Sequence, residues 1–190
     1  MLLCAPISGM SVGCESKAVS TVHVSLGSLP EERRSFQPKS SLAEYLELPG
    51  GGAEARVLLS SHDITCESLL PLKPDQVLLV LSFSVPPGRK LEPSSFPYAA
   101  TPGPPADETV ANSSPGLSVL PYLRIGKAGR SVPPGGQVDI TEVTLDPQGA
   151  IRGTLRLEQP GSAGVAATSL LGSFSARWCR VQGAATTDSP

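Results

Sequence analysis

The chain has 190 residues, of which 39% are hydrophobic, 17% charged and only 4% aromatic. Lys and Arg total 15 against 17 Asp and Glu, and no run of basic residues is longer than a pair. This charge pattern argues against a nucleic-acid partner, and no apolar run approaches the roughly 20 residues of a membrane-spanning helix. Gly (19) and Pro (20) make up about a fifth of the chain, which indicates many turns.

Residues 1–17 form an apolar stretch without charge before Glu15, which is typical of a leader. Gly13 and Cys14 fit the end of a bacterial lipoprotein box, in which the Cys is lipidated and becomes the new N-terminus. Ser11 stands where Leu is usual, and the basic segment is missing. The stretch is therefore interpreted as a lipoprotein leader whose true start lies upstream. A clipped signal peptide and a frayed apolar tail are the alternatives.

Strand patterns dominate the first half of the domain. Residues 20–26, 55–60 and 76–85 each read as strands, and the last has apolar side chains on one whole face. Its other face is apolar at the start and polar at the end, which predicts a central strand covered at one end only. Residues 40–48 carry the capping-box spacing Ser41-x-x-Glu44, which predicts one short helix, with an extended strand as the alternative.

Residues 86–116 are rich in Pro, Gly and Ser, and are predicted to be one long loop. Phe96 and Tyr98 are the aromatic residues of this loop. We expect them to pack back onto the sheet, with contact to a ligand as the functional alternative.

The last third predicts a three-stranded antiparallel meander over residues 138–158 and 170–179. The apolar alternation slips between Ile140 and Val143, which indicates a β-bulge. Residues 117–126 read as a strand interrupted at Pro121, and therefore as an edge strand or two pieces.

The predicted fold class is all-β, an antiparallel sandwich or partly open barrel of about seven to eight strands in one domain over residues 18–180. Residues 181–190 read as a disordered tail.

Four cysteines occur without any CxxC spacing, so a zinc knuckle or a thioredoxin-type motif is not indicated. Cys4 and Cys14 fall in the leader region, which leaves Cys66 and Cys179 as a candidate disulfide inside the domain. Four cysteines allow three connectivities, so this pairing is a choice among alternatives.

Several segments together resemble a known group of exported proteins. They are VLLSSHDITC, VLLVLSFSV, the hairpin GQVDITEVTLDPQGAIRGTLRLE and the final strand GSFSARWC. Over about residues 42–179 the chain is similar to exported lipoproteins of the myxobacterial type, which have no assigned activity. The resemblance implies a Cys66–Cys179 pair, lipidation at Cys14, and a location in the bacterial cell envelope, as an outer-membrane lipoprotein or in the periplasm. It implies no catalytic residue.

Sequence motifs for catalysis or cofactors are sparse. The run SSHD at residues 60–63 sets a nucleophile, a base and an acid side by side, but neighbours on a strand face opposite sides and do not form a triad. No phosphate-binding or dinucleotide-binding loop occurs, so no cofactor is predicted. The scattered carboxylates Asp139, Glu142 and Asp146 are expected to be solvated, and no metal site is predicted.

Three functions remain in competition at this point. The first is a non-catalytic, exported or surface-tethered structural or binding module with a protein or glycan partner and a membrane tether through Cys14. The second is a small barrel that binds an apolar or sugar ligand, with Phe83, Phe96, Tyr98 and Trp178 as candidate contacts and Phe174 beside them. The third and weakest is a hydrolase that uses Ser60 or Ser61 with His62. The oligomeric state is not predicted.

Overall fold

A computed structural model of the chain describes residues 20–25, 33–65, 73–99, 117–126, 128–130, 132–133, 135–146, 148–161 and 167–182. Every regular element within these ranges is a β-strand. The strands are β1 (Thr21–Ser25), β2 (Arg33–Phe36), β3 (Ser40–Glu47), β4 (Ala53–Ser60), β5 (Val77–Val85), β6 (Ser94–Ala99), β7 (Ser118–Ile125), β8 (Ala128–Arg130), β9 (Gly135–Val143), β10 (Ala150–Gln159) and β11 (Thr168–Gln182).

The strands form a single sheet that curls on itself. Its order is β6-β9-β10-β11-β3-β4-β5-β7-β8, with the β1–β2 hairpin attached to β11. Because β6 and β7 also contact each other, the eight strands from β6 to β7 make a nearly closed barrel. The all-β prediction of a barrel or sandwich is confirmed. All the described strand pairs are antiparallel except β11 with β3, which is parallel.

The barrel interior is packed by the inward faces of its strands, which supply one large apolar core. In β5, Val77, Leu79, Leu81, Phe83 and Val85 all point inward and are buried. The outward side chains of the same strand change from buried at Leu78 to exposed at Ser84. The predicted central strand, covered at one end and open at the other, is therefore confirmed. The pairs β4–β5 and β5–β7 place β5 between two neighbours.

The long strand β11 changes its neighbour halfway along. Residues 169–173 pair antiparallel with β1, and residues 177–182 pair parallel with β3. Ser20 lies at the junction, where its Oγ accepts a hydrogen bond of 2.8 Å from the Ser175 N–H and one of 3.2 Å from the Ser41 hydroxyl. This buried serine satisfies polar groups in the gap between the two partner strands.

The predicted helix over residues 40–48 is wrong, because this segment is the strand β3. Its side chains are buried in both directions: Ala43 and Tyr45 lie in the main core, and Leu42 lies in a second cluster on the outer side. A helix with one apolar stripe could not fill both places. Pairing on both edges, with β4 and with β11, overrides the capping-box signal.

The predicted loop over residues 86–116 is also corrected, because β6 lies inside it and pairs with β9. Phe96 is fully buried and Tyr98 packs against the same core, as expected for aromatic residues that return to the sheet.

In β7, Pro121 does not interrupt the strand. It pairs with Leu81 of β5, and β8 pairs β7 only over residues 123–125, so at Pro121 the missing N–H costs no hydrogen bond to β8.

The C-terminal meander of β9, β10 and β11 is confirmed, and so is its bulge. The register between β9 and β10 shifts at Arg152 and Gly153, so that Thr141 of β9 is the extra residue. Two residues predicted to lie in the tail, Val181 and Gln182, belong to β11 and pair with β3. The rest of the predicted tail and the predicted leader lie outside the described residues.

Candidate functional site

Trp178 closes the end of the barrel beside the β9–β10 turn. Its indole Nε1 donates a hydrogen bond of 2.7 Å to the Thr144 carbonyl oxygen. Its ring meets the ring of Tyr45 edge to face, with centroids 6.3 Å apart. The side chain is only 5% exposed, so this predicted ligand contact is placed as a structural residue in the core.

Phe83 and Phe96, two further predicted ligand contacts, pack against each other inside the barrel. Both are fully buried, and their ring centroids lie 4.9 Å apart in an edge-to-face arrangement. This distance leaves no room for a ligand between the rings. Phe174 is buried in the same core, and Tyr98 is half-buried at its margin. Burial raises the pKa of the Tyr98 hydroxyl above its usual value.

Ser60 and His62 form a buried polar pair where β4 ends. The Ser60 hydroxyl and His62 Nδ1 share a hydrogen bond of 2.6 Å, and the His62 N–H donates to the same hydroxyl oxygen at 3.2 Å. His62 Nε2 is buried and has no hydrogen-bond partner among the described residues. The hydroxyl is within reach of the imidazole, as the hydrolase hypothesis requires, but Ser60 is 0% exposed and cannot meet a substrate.

The ring orientation also differs from that of a catalytic triad. In a triad Nε2 faces the nucleophile, and an acid orients the ring through Nδ1. Here Nδ1 faces the serine, and Asp63, the acid of the SSHD run, is exposed. Backbone donation from residue i+2 to a serine oxygen is an ordinary turn motif, and it accounts for the pair as the end of a strand.

The bulge in β9 brings Asp139 and Glu142 to the outer face, but both carboxylates already have partners. Asp139 accepts hydrogen bonds from Ser95 and Gln137, and Glu142 forms an ion pair of 2.7 Å with Arg152. Within the described ranges, no three His, Cys, Asp or Glu side chains lie together as a metal site.

Cys179 lies on the opposite face of the sheet from Trp178. It packs on the outer cluster of Leu42, Leu58, Ile64 and Leu78, and it is not a free thiol. Cys66, Cys4 and Cys14 lie outside the described residues, so the Cys66–Cys179 pairing and the lipidation of Cys14 stay predictions. Ile64, which belongs to the same outer cluster, precedes Cys66 by two positions in the sequence.

A shallow groove of about 170 Å³ crosses the outer side of β11, β3 and β4. Its charged side chains are Glu44, Glu54, Arg56 and Arg180, and Arg56 is paired with Glu54 at 2.9 Å. Two acidic and two basic groups balance, so the groove offers no excess charge to an ionic ligand.

The outer face of β5 and β7 carries large apolar side chains in contact with solvent. Leu120 is 64% exposed and Tyr122 is 48% exposed, and they stand next to Ser82 and Val80 of β5. Sequence reasoning missed this surface. The positions of Leu120 and Tyr122, two residues apart on one strand, could have indicated a shared apolar face, because alternate residues of a strand point to the same side.

The described residues include no helix that could span a membrane. Comparisons of the chain with protein-family models, with curated proteins and with solved structures found no match.

Proposed function

We propose that this chain is a non-catalytic binding module of the bacterial cell envelope that acts through the outer surface of its barrel. The observation that carries the proposal is the filled barrel interior. Phe83 and Phe96 pack against each other inside the barrel and leave no space for a ligand between them. A partner would therefore bind on the outer surface of the sheet. A protein is the partner that a partly apolar outer sheet face suits best.

The state of the described polar residues supports the non-catalytic part of the proposal. The Ser60 hydroxyl, which lies beside the His62 base, is buried, and among the described residues no acid contacts the other ring nitrogen of His62. The carboxylates Asp139 and Glu142 are held in hydrogen bonds or ion pairs on the surface. These arrangements suit structural roles.

Export is part of the proposal, with Cys14 as the lipidated tether and a disulfide between Cys66 and Cys179. The outer cluster supports the disulfide, because Ile64 and Cys179 pack on the same apolar side chains and Cys66 follows Ile64 closely. A bridge between these cysteines requires an oxidising compartment outside the cytoplasm.

The tether is tested by production of the chain in a bacterial host with a radioactive palmitate label, from the upstream start that the leader interpretation requires. We expect label in the membrane fraction for the wild type and none for Cys14→Ser. Membrane label in both proteins, or in neither, would contradict the tether.

A second measurement separates the binding module from a small-ligand barrel. The fluorescent apolar probe N-phenyl-1-naphthylamine is titrated into the folded wild type and into Phe83→Ala, which opens space in the interior. We expect saturable binding only for the variant. Saturable one-to-one binding by the wild type would establish the ligand-binding barrel instead.

A further inference from the structure

We propose that the outer face of β5 and β7 is the docking surface, and that it receives a segment of a partner protein with an apolar side chain next to a carboxylate. This inference rests on the proposed function as a binding module and names its surface and the chemistry of its partner. The face consists of the outward side chains of two paired strands, Val80, Ser82, Ser84, Ser118, Leu120, Tyr122 and Arg124. The remaining outward side chain of β5, Leu78, is buried in the outer cluster and bounds the face at that end.

The apolar part of this face is continuous across the two strands. Tyr122 stands directly opposite Val80, and Leu120 stands opposite Ser82. The small serine leaves the leucine side chain uncovered, and at 64% it is the most exposed large hydrophobic residue in the described ranges. Aromatic side chains with a polar tip contribute strongly to protein interfaces, which makes Tyr122 a suitable anchor.

The charge on this face is a single cation. Arg124 is the only charged residue in β5 and β7, and it forms no ion pair with any described residue. It stands opposite Leu78, at the edge of the apolar part. A guanidinium group binds a carboxylate through two parallel hydrogen bonds, so the complementary partner carries Asp or Glu beside its apolar residue.

Another part of the barrel surface shows a different pattern. On the outer face of β9 and β10, Arg152 is paired with Glu142 at 2.7 Å, and Arg156 is paired with Glu158 at 2.9 Å. These arginines already have acidic partners within the protein. The contrast favours the β5–β7 face, where Arg124 has no acidic partner among the described residues.

The backbone between the two anchors is fixed in advance. Pro121 lies between Leu120 and Tyr122, and its own side chain is buried toward the core. The proline ring limits φ, and β5 holds the strand on one edge. The anchors are therefore presented in one arrangement, which reduces the ordering cost of binding.

The test uses the full chain in the cells that naturally produce it, with the photo-crosslinking residue p-benzoylphenylalanine at one position. Position 120 probes the face, and position 154 is the control, because Thr154 is exposed on the outer side of β10. We expect a crosslinked partner at position 120 and at least tenfold less at position 154. Mass spectrometry should map the crosslink to a segment with Asp or Glu beside an apolar residue. Arg124→Glu should reduce the yield at position 120 by at least tenfold, and Arg124→Lys by much less.

The other outcomes separate the two proposals. A partner captured only at position 154, or equally at both positions, would overturn the docking face and leave the binding module intact. Capture of a second copy of the chain or of lipid at position 120 would also overturn this inference. No capture at either position by folded protein, verified by its melting temperature, would contradict the binding module itself.

Discussion

Trp178 and Cys179 are neighbours in the chain but belong to different apolar clusters on opposite faces of the sheet. The tryptophan completes the interior of the barrel, and the cysteine packs on the outer cluster beside Ile64. The last part of β11 therefore joins the two clusters. Substitutions at these adjacent positions should affect separate parts of the structure.

Trp178→Phe should lower the free energy of unfolding by about 1–3 kcal/mol. The substitution keeps an aromatic ring but leaves the Thr144 carbonyl oxygen without its indole donor. Urea unfolding followed by circular dichroism measures the change. Tyr122→Phe, on an exposed side chain, is the matched control and should change stability by less than about 0.5 kcal/mol. Equal effects of the two variants would contradict the role of Trp178.

Gly153→Ala should destabilise the barrel by about 1–3 kcal/mol through overpacking. A Cβ atom at this position would lie 2.2 Å from the Asp139 carbonyl oxygen and 2.6 Å from the Phe174 ring. Gly135 is the control, because a Cβ there has its nearest neighbour at 3.8 Å. Thermal unfolding should show a lower Tm for the first variant alone. An unchanged Tm for Gly153→Ala would mean that β10 and Phe174 can move apart.

Ser60→Ala should cost about 1–3 kcal/mol, because His62 then loses the partner of Nδ1 and the acceptor of its N–H. In the double variant Ser60→Ala/His62→Leu, an apolar side chain replaces the unpaired ring. We expect the double variant to be more stable than Ser60→Ala alone, with an interaction energy of about 0.5–3 kcal/mol. Additive losses in a double-mutant cycle would contradict the pairing.

Alkaline pH should destabilise the fold through Tyr45 and Tyr98. Burial raises the pKa of both hydroxyls, and the nearby Glu47 carboxylate adds to the effect at Tyr45. The neutral hydroxyl is thus favoured in the folded state. The resulting stability is fully present below the unfolded pKa of about 10 and is lost as pH rises through the folded pKa. Denaturation at pH 8 and pH 11 measures the loss, which Tyr45→Phe/Tyr98→Phe should reduce. An equal loss in the double variant would assign it to other groups.

Cys66→Ser should lower stability by several kcal/mol, about 4–5 in the chain-entropy treatment of a loop of roughly 110 residues. Non-reducing intact mass and peptide mapping of the wild type should show Cys66 joined to Cys179. Cys14→Ser is the control and should leave the Tm unchanged. Free thiols at both positions, or a Tm equal to that of the wild type, would contradict the bridge.

Local patterns in the sequence were sufficient to predict the strands whose alternation is clean. The inward face of β5 was predicted correctly, and the slip in apolar parity correctly marked the bulge beside Gly153. Strand β3 was misread because its Leu and Tyr spacing suits both a helix and a strand. Its pairing with β11, about 135 residues away, determines the outcome. Strand β6 was hidden by Pro97, which the strand tolerates because, among the described residues, it pairs on one side only, with β9.

The candidate docking face was harder to predict for a different reason. Alternation shows that Leu120 and Tyr122 share a face, but it does not show which face of a two-sided apolar strand is covered. That depends on the outer cluster, which ends near Val80 and does not extend over β7. That Arg124 has no ion-pair partner among the described residues likewise depends on which strands become its neighbours.

The change of partner along β11 has a consequence for how the barrel is assembled. This strand holds both β1 and β3 in place, although these lie near the other end of the chain. Until β11 arrives, β3 has one unpaired edge, and the hairpin of β1 and β2 has no sheet to join. Closure thus depends on contacts of very long sequence separation, which are slow to form. We expect that a chain emerging from a ribosome or a translocation pore would keep these edges open until its last strand is free, and would need protection from aggregation during that interval.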